Sequence, residues 1–329
     1  MTRARNSLID PDSTPYYHCM ARCVRRAYLC GKDHFSGKDY EHRRQWVVDR
    51  LTELAAIFAI EVCAYAVMSN HYHVVLHINA QEANDWNKND ILKRWTRLFA
   101  GPVIVQRYLG GARLSEAEMR RVDEFAEEYR FRLQDISWFM RCLNEYLARE
   151  ANKEDKCRGR FWEGRFKSQA LLDEAALLTC MAYVDLNPVR AKLADTPEAS
   201  DFTSIKERIE KAADNTTSKQ PASLKPFRCQ GQSPEVALPF ILQHYLELVD
   251  WSGRVVRADK RGAIADDIPP ILSRLGIDSN EWINTMRWNN RFYQAVGRLQ
   301  AMKAHALKTG RNWLRGLTAC CRLYISHQR

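Results

Sequence analysis

The run from Ile60 to Ile78, IEVCAYAVMSNHYHVVLHI, constrains this chain most, because it sets two histidines one residue apart inside an otherwise apolar hairpin. Ser69 and Asn70 are turn formers between its strand-like halves, so an antiparallel pair is expected. Alternate side chains of a strand share a face, which puts His71, His73 and His77 on one side and Tyr72, Val74, Leu76 and Ile78 on the other. Two imidazoles about 6 to 7 Å apart along one face can share a divalent cation, given a third ligand from elsewhere and positions open to water or substrate. Half-buried histidines satisfied by backbone or water would give the same pattern.

Before this hairpin, residues 1–14 read as a polar arm closed by Pro15, and Tyr16 to Val24, YYHCMARCV, reads as a strand. Arg22, Arg25 and Arg26 follow at its end, where they are solvated or held towards a phosphate backbone. After a loop from Gly31 to Gly37, Trp46, Val47, Leu51, Leu54, Ala55 and Phe58 recur at helical spacing. The order so far is strand, helix, strand, strand, and a second helix is expected from about Asn89 to Phe99. An insertion over about 100–133 comes next. Gly101 to Gly111 reads as extended or looped, and Ser115 to Arg132 as a helix whose Ser115 and Glu118 form a capping box. Ile136, Phe139, Met140, Leu143, Tyr146 and Leu147 mark a further amphipathic helix.

The second informative stretch is Arg158 to Asn187, RGRFWEGRFKSQALLDEAALLTCMAYVDLN. Its first part reads as a short hairpin in which Arg158, Arg160, Arg165 and Lys167 interleave with Phe161, Trp162 and Phe166. Cations mixed with aromatics can neutralise phosphates and stack unpaired bases, at about 1 to 3 kcal/mol per stacked base, although such aromatics can equally face a core. Asp173 is placed to cap a helix on which Tyr183 and Asn187, four residues apart, share a face. Pro188 forces that helix to end near Asn187, exposing its amide. A phenol and a carboxamide at a helix end suit a tyrosine nucleophile beside a metal ligand, and they suit ordinary packing too. Arg190 stands close enough to this tyrosine to be a phosphate contact.

Charge narrows the partners. Fifty Lys and Arg against forty Asp and Glu leave a net +10, which favours an acidic polymer, nucleic acid ahead of membrane. Ten cysteines without a CxxC pair suit reduced thiols. The first residues lack the apolar core of a signal peptide and no apolar run is long enough to span a bilayer, so a soluble, cytoplasmic, nucleoid-associated protein is expected. Residues 211–234 turn to Thr, Ser, Asn, Gln, Lys and Pro and read as a linker. Residues 235–329 read as a mostly helical basic region, either a DNA anchor or a cap on the first domain. It has only a loose helix-turn-helix spacing.

Three separated motifs, MSNHYHVVLH, GRFWEGRFKSQ and YVDLNPVRA, occur in an order that resembles the single-strand-specific HUH transposases with one catalytic tyrosine. The REP-associated tyrosine transposases and the insertion-sequence-200-like group are the nearest likeness, over roughly residues 15–200, within a catalytic domain expected over 15–210. The resemblance implies an α+β fold, a ferredoxin-like antiparallel sheet with helices (the HUH endonuclease fold), followed here by the mostly helical C-terminal region. It implies a divalent metal, Mg²⁺ or Mn²⁺, held by His71, His73 and Asn187, and Tyr183 as the nucleophile that forms a 5′-phosphotyrosine link. The substrate it implies is single-stranded DNA with hairpins, bound by a homodimer or a monomer; the residues read above as its contacts are Arg22, Arg25, Arg26, Arg158, Arg160, Trp162, Arg165, Lys167 and Arg190. His77 lies outside the family's pair and is expected to face solvent at the strand's end. A domesticated DNA-binding protein that keeps the fold without cutting is the alternative from another class, and a zinc-dependent RNA-processing protein is a third.

Overall fold

The computed structural model describes residues 9–24, 29–33, 37–213, 220–229, 236–257, 268–288, 294–311 and 314–324. Arg25 and Arg26, expected as phosphate contacts, lie outside the described residues. In chain order the elements are β1 (Tyr16–Arg22), α1 (Arg43–Ile57), β2 (Ile60–Val67), β3 (His71–Ile78), α2 (Ala80–Asp85), α3 (Lys88–Thr96), α4 (Val103–Leu109), α5 (Glu116–Leu133) and α6 (Ile136–Glu154). They continue with β4 (Lys167–Leu171), α7 (Glu174–Asp185), α8 (Asn187–Arg190), α9 (Ser204–Ala213), α10 (Leu242–Arg257), α11 (Pro270–Arg274), α12 (Ser279–Trp288), β5 (Ala295–Val296), α13 (Leu299–Lys308) and α14 (Leu317–Leu323). The chain is therefore mixed α+β, built on one five-stranded sheet in the order β2-β3-β1-β4-β5.

Register decides everything about the site. β1 pairs antiparallel with β3, setting Tyr16 opposite His77, Met20 opposite His73 and Arg22 opposite His71. β4 pairs antiparallel with the other side of β1, setting Gln169 opposite His18. Directly opposed residues share a face, so one face carries His18, His71, His73, His77 and Gln169, and the other carries Tyr17, Cys19, Tyr72 and Val74. The second face is the apolar one. Val47, Leu51 and Leu54 of α1 are buried beneath it, and Tyr72 donates its hydroxyl to Asn144 Oδ1 of α6 at 2.9 Å. The histidine face is covered by α7, which packs on β2, β3 and β4. Ten of its twelve residues are buried, and a helix apolar all round needs cover on its outer side as well.

That cover comes from the C-terminal region, where α10 packs on α8 and β5 adds a parallel strand to β4. The stretch read as a linker is in part docked too. The Lys225 side chain is fully buried, its ammonium 2.7 Å from Glu61 Oε2, and its backbone N–H donates to Val62 O at 2.8 Å along the outer edge of β2. Further along that edge, the Tyr65 and Val67 N–H groups donate to Ser204 Oγ and Phe202 O.

Three local expectations change. Val103–Leu109 is helical rather than extended, because Pro102 starts a turn that seats Val105 in the core. The stretch from Arg158 to Phe166 does not fold on itself as a hairpin. It bonds instead with the end of β1, through Val24 N–H to Phe161 O and Glu163 N–H to Arg22 O, both within 2.9 Å. His77, expected to face solvent, is 8% exposed and lies 2.7 Å from Glu61 Oε2, since β2 and the Lys225 segment close over that end of the strand. Among the described residues no helix is long and apolar enough to cross a membrane.

Candidate active site

The sheet and α7 bring together the residues that the sequence separates by more than a hundred positions. The His71 and His73 rings have centroids 4.9 Å apart. Tyr183 reaches down from α7 so that its ring lies 5.9 Å from that of His73 and 6.4 Å from that of His18. Asp173 caps this helix through Ala176 N–H, and Pro188, in the first turn of α8, breaks it before Asn187. The break sets Asn187 at the head of a new short helix, one turn beyond the tyrosine.

Hydrogen bonds fix which nitrogen of each imidazole is available. A carboxamide oxygen can only accept, so Asn70 Oδ1, 2.6 Å from His71 Nδ1, requires the proton on that nitrogen. Gln169 Oε1, 3.3 Å from His18 Nδ1, requires the same of His18. His18 Nε2 then carries a lone pair and accepts from His73 Nδ1–H at 2.8 Å. In this arrangement His71 and His73 both keep an Nε2 lone pair, oriented by partners behind them, as outer partners orient metal-binding histidines in general. Two imidazoles sharing a cation at ~2.1 Å per bond have ring centroids about 4.5 to 5.2 Å apart, which brackets the separation here.

The electrostatics agree with neutral rings. Burial, with Arg22 as a second cause, pushes His71 down to about 4, and burial pushes His18 to about 4 against the raising effect of Gln169. Burial also holds His73 well below its ordinary value, helped by His18, His71 and Arg190. Neutral imidazole is the form that ligates a metal. Among the described residues no three His, Cys, Asp or Glu side chains make a complete ligand set. A cation here could take His71 and His73 plus a neutral oxygen. Asn187 is 7% exposed and its Nδ2 has no hydrogen-bond partner among the described residues. Turning the amide over places an oxygen in that position. The donor set of two imidazoles and one amide is of the kind that divalent ions accept.

Arg190 adds a fixed positive charge. Its guanidinium carbon stands 4.2 Å from the centre of the Tyr183 ring, and its buried Nε has no acceptor among the described residues. Arg22, Arg158, Arg160, Arg165 and Lys167 are exposed, at the end of β1, in the stretch bonded to it and at the start of β4. Trp162 is held down: its indole N–H donates to Asn144 O at 2.8 Å and its ring meets Tyr72 and Phe161 edge-on. His77 takes no part, being committed to Glu61.

Sequence reading missed His18 and Gln169. The available signal was that each is a polar residue inside an apolar strand, in YYHCMAR and KSQAL. Both become meaningful only when β1 is known to lie between β3 and β4.

The histidines that burial lowers, His18, His71 and His73 at this site with His77 and His305 elsewhere, set a pH dependence. The unfolded chain binds protons near pH 6.5, while in the folded one His18 and His71 resist them to about 4 and His73 is shifted the same way, so stability is full above 6.5 and falls as pH drops below it. For His18 alone the loss is on the order of 3 kcal/mol. Asp185, raised by burial to about 6, and Glu82, raised by burial, work in the opposite direction and are outnumbered by the lowered histidines. Urea unfolding is expected to show a midpoint that is level between pH 8 and 7 and markedly lower by pH 4.5. A midpoint that rises on acidification contradicts this.

No family model matches the chain, and no curated protein matches it. Among solved structures, that of a REP-associated tyrosine transposase bound to a REP hairpin is similar at 10% identity, covering 70% of this chain and all of that one, with a TM-score of 0.38. A likeness that loose does not establish a shared function.

Proposed function

We propose that this chain is a metal-dependent endonuclease and strand-transferase acting on single-stranded DNA that carries hairpins, with Tyr183 as the nucleophile. The observation that carries this reading is the meeting of a half-buried phenol and an arginine, on α7 and α8, with two neutral imidazoles of the sheet whose lone pairs are oriented. The strand order β2-β3-β1-β4, antiparallel throughout, with α1 crossing from β1 to β2, supports a ferredoxin-like core.

In this reading the exposed cations Arg22, Arg158, Arg160, Arg165 and Lys167 hold the DNA backbone by charge. Arg190 offsets the negative charge that builds on the reacting phosphate. The Tyr183 oxygen gives up its proton and bonds to phosphorus. The bond from phosphorus to the 3′-oxygen breaks, and that oxygen takes up a proton and leaves as a 3′-hydroxyl. Tyr183 then carries the 5′-phosphate. This ester conserves the energy of the broken bond, so a 3′-hydroxyl can later attack it without any nucleotide cofactor. A Mg²⁺ or Mn²⁺ ion held by His71, His73 and Asn187 would neutralise a non-bridging phosphate oxygen and polarise the phosphorus.

The test is to incubate the full chain with hairpin-bearing single-stranded DNA and Mn²⁺ and to resolve the products under denaturing conditions. A covalent protein–DNA band that disappears with chelator is expected, and the corresponding RNA should give none. A chain that retards the DNA on a native gel yet never forms the band is a DNA-binding protein that does not cut, and the proposal fails.

A further inference from the structure

The C-terminal region is attached to the tyrosine-bearing helix at both ends. At its start, Asp173 divides its two oxygens. Oδ1 caps α7 through Ala176 N–H at 2.8 Å, and Oδ2 accepts from the Arg298 N–H at 2.6 Å. Arg298 is brought there by β5, whose Val296 O accepts from Leu172 N–H at 2.9 Å. The approach is close enough that a Cβ on Gly297 would stand 2.8 Å from Leu172 Cβ. At the other end Asp185, fully buried, accepts from Ser204 Oγ and Ile205 N–H through Oδ1 and from the Tyr245 hydroxyl of α10 through Oδ2. One residue later Leu186 packs against Gly253 of the same helix.

We infer that the C-terminal region acts as a lock on α7, with Tyr245 and Asp185 as positioning residues that keep Tyr183 over the imidazoles of its own chain. This rests on the reading of Tyr183 as the nucleophile. The geometry gives the lock its purpose. A tyrosine oxygen stands about 9 Å from the axis of its helix, so a rotation of ~30° displaces it by about 4 to 5 Å, enough to lose the site. The apolar surface of α7 cannot prevent such a rotation, because an apolar helix has no preferred face. Directional hydrogen bonds accepted by a buried carboxylate can, and Asp185 lies only two residues from Tyr183.

The decisive variant is Tyr245→Phe, which removes one hydroxyl and leaves the ring in place. It should slow adduct formation at saturating DNA about tenfold with hairpin affinity unchanged, and should speed amide exchange across residues 174–186 but not across 60–78. Asp185→Asn, which keeps an acceptor for Ile205 N–H, should retain more of the rate than Asp185→Ala. Mixing Tyr183→Phe chains with His73→Ala chains should restore no adduct, since nucleophile and imidazoles work within one chain. Unchanged exchange in α7, a rate loss matched by loss of hairpin affinity, or recovery in the mixture overturns the lock. If the native chain forms no adduct at all, the nucleophile reading fails by itself, and the exchange measurement still decides whether α7 is held.

Discussion

Tyr183→Phe should abolish the covalent protein–DNA complex, by at least about a thousandfold, while hairpin affinity stays within about twofold. The asymmetry follows from how the residue sits. Phenylalanine keeps the ring beneath Arg190 and beside His73, so packing and the positive patch survive and only the attacking oxygen is lost. The exposed cations proposed to hold the DNA backbone, Arg22, Arg158, Arg160, Arg165 and Lys167, are other residues. Adduct formation on a denaturing gel and hairpin binding on a native gel separate the two effects. A variant that still forms the adduct at a substantial rate places the nucleophile on another residue.

The second large effect is in cation binding, where three histidines on one face of the sheet, His18 of β1 and His73 and His77 of β3, should behave differently. His73→Ala should weaken Mn²⁺ binding by more than about a hundredfold, because it removes a ligand and leaves one imidazole. His18→Asn should cost about ten- to a hundredfold, the usual loss when an outer partner stops orienting a ligand. It removes the acceptor that holds the proton of His73 on Nδ1. His77→Gln should leave Mn²⁺ binding unchanged, since that ring is engaged by Glu61, which also neutralises the buried Lys225. Titration followed by the Mn²⁺ electron paramagnetic resonance signal reads all three directly. Equal losses for His73→Ala and His77→Gln would mean that the ion sits elsewhere on the strand.

The parts legible in sequence were those where one local rule decides. Strand alternation placed His71 and His73 on one face, the Ser115 and Glu118 capping box fixed the start of α5, and Asp173 and Pro188 bounded the tyrosine helix. What was hidden depends on partners distant in the chain. His18 looks like any strand residue until β1 is inserted between β3 and β4, and His77 looks solvated until Lys225, from a polar and linker-like stretch, closes over Glu61. The aromatics of GRFWEGRF alternate with cations as a hairpin would, yet their backbone bonds to β1 because that strand's end had unpaired groups to offer. The contribution of the C-terminal region to the sheet, two residues long, is below what any periodicity can reveal.

The treatment of the sheet's two flanks carries a consequence for behaviour at high concentration. A flank that bares a row of amide and carbonyl groups is a template for another molecule, and hairpin-rich DNA would crowd many copies of this protein together. Here the β2 side is occupied by the Phe202–Ser204 turn and Lys225, and the β4 side by the two residues of β5. Self-association by strand addition is thereby opposed along the β2 side and at the Ala170–Leu172 end of the β4 side, and truncating the chain before residue 294 would uncover the latter and invite precipitation.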